Sequence, residues 1–338
     1  VLKLIIQAPT TKWVIDGVNN MCLYPKLIQN RKYIANKKNG GVIPAVLDNR
    51  VLYVPVGCGK CMECKKQKSR DWQVRLLEDL RHNKNGIFVT LTFSNESIAE
   101  LGKETNLEGY DRDNEIAKIG VRRFLERWRK KYKKSVRHWL VTELGHNGTE
   151  NIHMHGIIWT DKRDSITDIW KYGYTWVMDK EKGYVSEQTI NYIVKYINKT
   201  DFKHKEYNSR IFTSPGIGKN YMNRLDSKLN KYNDRETKET YTNRQGYKMA
   251  LPKYYRNNIY SENEKEKLWL KKLDEEVRYV NGNKIDISKG EENYYKALYE
   301  ARKKNKRLGY GDDSKNWELK RYENDKRNML YKKRIGKL

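Results

Sequence analysis

Three groups of side chains in this chain have the types and spacings that chemistry requires. The first is His153 and His155, in the run Asn151-Ile152-His153-Met154-His155-Gly156-Ile157-Ile158-Trp159. The run is rich in branched apolar residues and stops at Thr160-Asp161, so it reads as a strand. Residues two apart on a strand share a face, which sets two imidazoles side by side with Met154 and Gly156 behind them. Two neutral imidazoles at that spacing can hold one metal ion when a third ligand stands near. For so short a pattern, two histidines on a half-polar sheet face is the plainer alternative. The second group is Tyr192 and Tyr196, each followed three residues later by a lysine, Lys195 and Lys199. The third is Cys22 with Cys58-Gly59-Lys60-Cys61-Met62-Glu63-Cys64, which together hold all four cysteines. Clustered cysteines in a cytosolic protein favour metal over disulfides, and four thiolates complete a tetrahedral structural zinc site. Gly57 and Gly59 permit the tight turn such a knuckle needs. An iron–sulfur cluster lacks its usual fourth nearby cysteine and proline; free reduced cysteines are the other alternative.

Each group needs an element to hold it. Asn191-Tyr192-Ile193-Val194-Lys195-Tyr196-Ile197-Asn198-Lys199 reads as a helix. At about 100° per residue, Ile190, Ile193, Val194 and Ile197 form one apolar stripe, and Tyr192, Lys195, Tyr196 and Lys199 fall roughly 140–240° away. The stripe supplies the core contact, so the tyrosines point elsewhere, one turn apart, and their hydroxyls reach the same region. Ser186 can cap this helix, with Glu187 in its first turn. Upstream of the histidines, Arg137-His138-Trp139-Leu140-Val141-Thr142-Glu143 reads as a strand, and the turn from 144 to 150 makes the pair an antiparallel hairpin. That pairing brings Glu143 near His153 and His155; His146 and Glu150, in the turn, are competitors.

Further elements follow from periodicity and turn residues. A helix is predicted over 65–82, with an apolar face of Trp72, Val74, Leu76, Leu77 and Leu80. A β-prone strand, Ile87-Phe88-Val89-Thr90-Leu91-Thr92-Phe93, comes next, and its threonines are candidates for touching DNA or for a structural role. A polar connection fills 94–112. A helix over 114–134 carries Phe124, Trp128 and Tyr132 on one side and basic residues elsewhere. A short helix over 165–172 and a strand over 174–178 complete the region. Beyond 261 the chain is mostly charged, with helical stretches at 264–277 and 291–306, and its last thirty or so residues read as a helix or a basic arm.

The histidine strand followed by a tyrosine helix resembles the signature of HUH endonucleases. The doubled Tyr-x-x-Lys is similar to that of the replication initiators (Rep) of microviruses, the single-stranded DNA phages, in particular gokushovirus-like ones. The cysteine cluster, Ser214-Pro215-Gly216-Ile217-Gly218 and Leu251-Pro252-Lys253-Tyr254-Tyr255-Arg256 also resemble that family, so the likeness covers roughly residues 20 to 260. It implies an α+β fold: an HUH-type core at 65–200, with a central antiparallel sheet flanked by helices. A Cys-rich region at 1–64 precedes it and a basic, largely helical region at 201–338 follows. The likeness implies Glu143 as third metal ligand beside His153 and His155, with magnesium or manganese as the ion, although the ligand set alone would also accept zinc. It implies that Tyr192 and Tyr196 attack the scissile phosphate, with Lys195 and Lys199 neutralising its charge. The products would be a 5′-phosphotyrosine and a free 3′-hydroxyl that a polymerase extends, which is the start of rolling-circle replication. The implied partners are single-stranded DNA at a phage origin and host replication proteins.

The totals agree with a polyanionic partner. Across 338 residues, Lys and Arg number 70 against 43 Asp and Glu, a net charge of +27. That excess points to nucleic acid first and an anionic membrane surface second. The 25 tyrosines and 9 tryptophans against 5 phenylalanines suit stacking on unpaired bases. No apolar run is long enough to span a bilayer, residues 1–6 are too short for a secretory core, and Gln7-Ala8-Pro9 is a poor cleavage site. The expected location is the host bacterial cytoplasm. Two rivals stay open: a non-catalytic nucleic-acid-binding protein, and an HUH transposase or relaxase. Relaxases place the tyrosine before the histidines, the reverse of the order here.

Overall fold

The histidine run is the middle strand of a five-stranded antiparallel sheet in the computed structural model, which describes residues 22–244, 246–314 and 317–336. The opening run at 1–6 and Gln7-Ala8-Pro9 lie outside the described residues. Five strands build the sheet: β1 Gly86–Thr92, β2 Arg137–Leu144, β3 Ile152–Trp159, β4 Thr175–Val177 and β5 Ile211–Thr213. Their order is β4-β1-β3-β2-β5, with every neighbouring pair antiparallel. The three long, branched-apolar strands stand at the centre and both edges are three residues long. Short edges limit pairing with other chains.

Register decides what each face carries. Glu143 pairs with His153, Val141 with His155, Thr90 with His155 and Thr92 with His153. The opposite face carries Ile87, Val89, Leu91, Leu140, Leu144, Ile152, Met154 and Ile158, all buried. Two long helices flank the sheet, α1 (Met62–His82) and α2 (Gly109–Tyr132). Helix α2 lies among these buried residues through Ile116, Val121, Phe124 and Trp128. Burial of each such side chain stabilises the fold by about 1.5–3 kcal/mol. At Gly120 a Cβ would come within 2.8 Å of the Phe93 ring, so only glycine lets the helix approach this closely.

Helices lie on both faces, not on one as the hydrophobic pattern suggested. On the histidine face, α1 sets Trp72 edge-on against Trp139, ring centroids 5.7 Å apart. Beside α1 run two short helices, α3 (Glu187–Ile193) and α4 (Lys195–Asn198), once a small helix Asp164–Ile169 has led into β4. They replace the single tyrosine helix expected from sequence. The break falls at Val194, whose carbonyl accepts a hydrogen bond from the Ser69 hydroxyl at 2.9 Å. The stripe is nevertheless as expected, with Ile190, Ile193, Val194 and Ile197 all buried. Ser186 caps α3, its hydroxyl accepting from the Thr189 backbone N–H. The connection at 94–112 holds a helix, Asn95–Gly102, that its polar composition hid.

The last helix, Trp317–Ile335, docks through buried charge. Arg327 donates to Asp113 at 2.6 Å and to the Glu150 carbonyl at 2.7 Å, with both side chains of the ion pair almost wholly buried. An amphipathic stripe is weak there, so sequence periodicity could not separate a docked helix from a free arm.

The chain divides into two compact units that interleave along the sequence, whereas the division at 64 and 200 was linear. One comprises residues 68–228, 241–255 and 315–338 and holds the sheet. The other comprises residues 1–67, 229–240 and 256–314. In the latter, hairpin Lys26–Gln29/Tyr53–Val56 and helices Glu262–Asp274 and Glu292–Arg307 are joined by a second hairpin, Val277–Val280/Asn283–Asp286. Asn281 and Gly282 turn this hairpin with φ of 52° and 84°. Asn-Gly is the two-residue signal for such a turn, and the surrounding charge masked it in the sequence. The region beyond 201 is therefore helical with strands inserted.

Among the described residues, no helix is long and apolar enough to cross a membrane.

Candidate active site

The β2–β3 hairpin brings three ligands to one point. The Glu143 Oε2 atom lies 3.3 Å from His153 Nε2 and 3.0 Å from His155 Nε2. Each imidazole turns its Nε2 to the centre because its Nδ1 is engaged elsewhere. His155 Nδ1 meets the Thr90 hydroxyl at 3.1 Å, and His153 Nδ1 lies 3.3 Å from the Asn151 carbonyl. Such outer contacts fix ring orientation in metal sites. At metal–ligand distances of about 2.1 Å, neighbouring ligands lie about 3.0 Å apart around an octahedral ion and about 3.4 Å apart around a tetrahedral one. The observed separations fit both. The three side chains are between 12% and 20% exposed, sheltered but reachable.

Burial works against ionisation of Glu143, but hydrogen bonds to His153, His155 and Lys199 outweigh it and hold the carboxyl well below the usual carboxylate range. Lys199 Nζ sits 2.6 Å from Glu143 Oε1. It lies just past the end of α4, so the chain leaving the tyrosines is tied to the glutamate strand. Lys195 is exposed on α4 and does not join this cluster.

Both tyrosines face the site. The Tyr196 ring stacks on His155, centroids 4.2 Å apart and planes 14° apart. Its hydroxyl is 2.9 Å from that of Tyr192. Burial, then the Tyr192 hydroxyl and the Glu143 charge, push the Tyr196 phenol above its ordinary range. Tyr192 is 49% exposed and meets Phe88 edge-on at 6.1 Å. Thr92, the other threonine of β1 on this face, donates its hydroxyl to the Tyr174 carbonyl at 2.8 Å. Thus one threonine steadies a histidine and the other an edge strand.

The competitors for third ligand are engaged elsewhere. Glu150 Oε2 bonds His204 Nε2 at 2.9 Å, and Lys203 pairs with its other oxygen. His146 Nε2 stands 3.8 Å from Asp201, which also holds His204 Nδ1 at 2.8 Å. His146, Asp201 and His204 could converge on a cation. However, both nitrogens of His204 already meet carboxylates, so the group reads as an ion-pair clip joining 199–204 to the hairpin turn. Sequence reasoning missed it; an Asp and a His three apart was the only local signal.

The four cysteine sulfurs form the other ligand set, in the unit that holds residues 1–67. Cys22 Sγ is 3.9 Å from Cys61 Sγ, Cys58 Sγ is 4.0 Å from Cys64 Sγ, and all four lie within 4.8 Å of one another. Sulfurs around tetrahedral zinc, with Zn–S of about 2.3 Å, are about 3.8 Å apart. The Cys58 N–H donates to Cys22 Sγ at 3.2 Å and the Cys61 N–H to Cys58 Sγ at 3.3 Å. Such donors favour thiolates. The sulfurs rest on helix Glu292–Arg307, where Asn305 accepts from the Met62 N–H at 2.8 Å.

No curated protein and no solved structure matches the chain significantly. Residues 86–201, about a third of the chain, carry both histidines, the glutamate, both tyrosines and Lys199, and this segment matches the family model of the replication-associated proteins ORF2 and gene 2 protein, which supports a replication-initiator family for it.

Proposed function

We propose that this protein nicks one DNA strand at a replication origin, attaches covalently to it and so starts rolling-circle replication of a single-stranded DNA phage genome of the microvirus type. The observation that carries the reading is the convergence, on one sheet face, of Glu143, His153 and His155 with Lys199 and two tyrosine hydroxyls 2.9 Å apart. These are an HUH endonuclease's parts, and the family match falls on the segment that holds them.

Glu143, His153 and His155 would hold a divalent ion, magnesium or manganese, whose charge would polarise the scissile phosphate. The chain's own groups do the rest. The sheet face positions the phosphate beside the tyrosines, and the α3–α4 pair presents one hydroxyl at a time. The tyrosine oxygen forms a bond to phosphorus and gives up its proton. The bond from phosphorus to the 3′ oxygen breaks, and that oxygen leaves as a 3′-hydroxyl after taking a proton. The 5′ phosphate is then a tyrosine phosphodiester. Because that bond preserves the energy of the one broken, a 3′-hydroxyl can attack it and reseal a strand without ATP. Lys199 keeps a cation at the rim, where phosphate charge collects.

We also assign zinc to Cys22, Cys58, Cys61 and Cys64, on the sulfur spacing and the N–H donors, as a structural centre of its own unit.

The direct test of nicking incubates the protein with manganese and an end-labelled random-sequence pool of single-stranded DNA, then runs a denaturing gel. A protein-sized band that keeps the label and yields to phosphodiesterase is expected. His153→Ala should bind DNA and form no adduct. Unimpaired adduct formation by His153→Ala would sink the mechanism.

A further inference from the structure

The site face continues past the histidines onto aromatic rings that the mechanism does not use. Edge strand β4 pairs Trp176 with Thr90, which itself pairs with His155. One step along, the Thr92 N–H bonds the Tyr174 carbonyl at 2.9 Å, and Thr92 pairs with His153. Two parallel rows therefore cross the sheet: Trp176, Thr90, His155 and Tyr174, Thr92, His153. Each ends on a ring two strand spacings, about 10 Å, from its histidine.

These rings are open. Trp176 is 36% exposed and Tyr174 70%. Trp139, Ile157 and Trp159, at the other end of the same face, are buried. Large aromatics left to water on a three-residue edge strand contribute little to the core. They are also held still. Trp176 stands edge-on to Phe88 at 5.7 Å, Phe88 lies nearly parallel to His155 at 6.3 Å, and the Thr92 hydroxyl anchors Tyr174. The platform is thus continuous with the candidate metal ligands through Phe88, on a chain with a net charge of +27.

We infer that Trp176 and Tyr174 form a stacking platform for unpaired bases next to the scissile phosphate. The inference rests on the nicking reading for the identity of that phosphate. The occupant is single-stranded DNA: in a duplex both base faces are already covered, whereas an unpaired base can lay its face on an exposed ring. A phosphate seated at Glu143, His153 and His155 leaves its neighbouring nucleotide over β1 and β4, where the rings stand.

The test measures fluorescence anisotropy of a labelled mixed-sequence 15-mer, as single strand and as duplex, against wild-type protein, Trp176→Ala, Trp176→Phe and Tyr174→Ala. Trp176→Ala should weaken single-strand binding about fivefold to a hundredfold, the range for loss of one base–aromatic stack. Duplex affinity should stay within twofold, Trp176→Phe should recover most of the loss, and the salt slope should not change, because stacking releases no counterions. An abasic position walked along the 15-mer gives a readout on the unaltered protein. At one position it should cost wild type affinity while costing Trp176→Ala little more. Single-strand affinity of Trp176→Ala and Tyr174→Ala equal to wild type would overturn the inference, as would equal losses on duplex. If wild type makes no covalent adduct yet Trp176→Ala loses single-strand affinity, the platform stands and the nicking reading falls. An adduct with unchanged affinity gives the reverse.

Discussion

Thr90→Val tests whether His155 is a metal ligand whose aim is set from outside. Valine keeps the side-chain shape and the strand preference, and removes only the hydroxyl that meets His155 Nδ1 at 3.1 Å. It is the only side-chain hydrogen bond among those seen at the Nδ1 atoms of the two histidines, since His153 relies on the Asn151 carbonyl. Without it the His155 ring keeps its stack on Tyr196 but loses its tautomer control, so part of the population turns a protonated nitrogen toward Glu143. Losing a contact of this class costs about 10–100-fold in metal affinity, or about 1.4–2.7 kcal/mol. The fold should hardly notice, because no core contact is removed. The assay titrates manganese into the protein, following free ion by its paramagnetic resonance signal, and repeats the titration on adduct yield. Both midpoints should move to higher manganese by the same factor, while yield at saturation recovers. Midpoints within twofold of wild type would refute the reasoning. So would a lower plateau at an unchanged midpoint, which would place Thr90 at the DNA and not behind the ligand.

Three further outcomes follow from other parts of the molecule. Tyr192→Phe and Tyr196→Phe should each retain some covalent capture but fail a full cycle of cut, transfer and second cut, and the double substitution should make no adduct; full cycles by Tyr192→Phe, seen in a strand-transfer assay, would reduce Tyr192 to a structural role. Freshly purified, reduced protein should carry one tightly held zinc, and its chelation should expose the unit built on the cysteines to proteolysis, since binding energy there is folding energy; elemental analysis without zinc would remove the assignment. Acid should loosen the hairpin turn through Glu150, whose carboxyl is held down at about 2 against burial by Lys203 and His204. With its folded value depressed, its contribution is complete above the ordinary 4.5 and fades as pH falls toward 2. Glu150→Gln should therefore flatten the pH dependence of melting temperature in that window, and an unchanged slope would assign the acid sensitivity to other groups.

Local pattern was enough for the parts of this protein that local rules govern. Alternation placed both imidazoles on one face of β3, and the short polar turn made β2 its neighbour. Helical period separated Ile190, Ile193, Val194 and Ile197, now buried, from Tyr192 and Tyr196 on the site side. Those features depend on residues within one element or one hairpin, where sequence separation and spatial separation nearly coincide. The tertiary structure decided what depends on distant chain. It broke the tyrosine helix at Val194, where Ser69 of α1 takes the carbonyl. It set Lys199 on Glu143, drew Asp201 and His204 to Glu150, and put Trp176 in line with His155 through Thr90. It also gathered four sulfurs onto a helix more than two hundred residues away, and docked the last helix by buried ion pairs that leave no apolar rhythm to read. Periodicity records which side of an element faces the core, but a hydrogen bond or ion pair needs a partner's position, and only the folded chain supplies that.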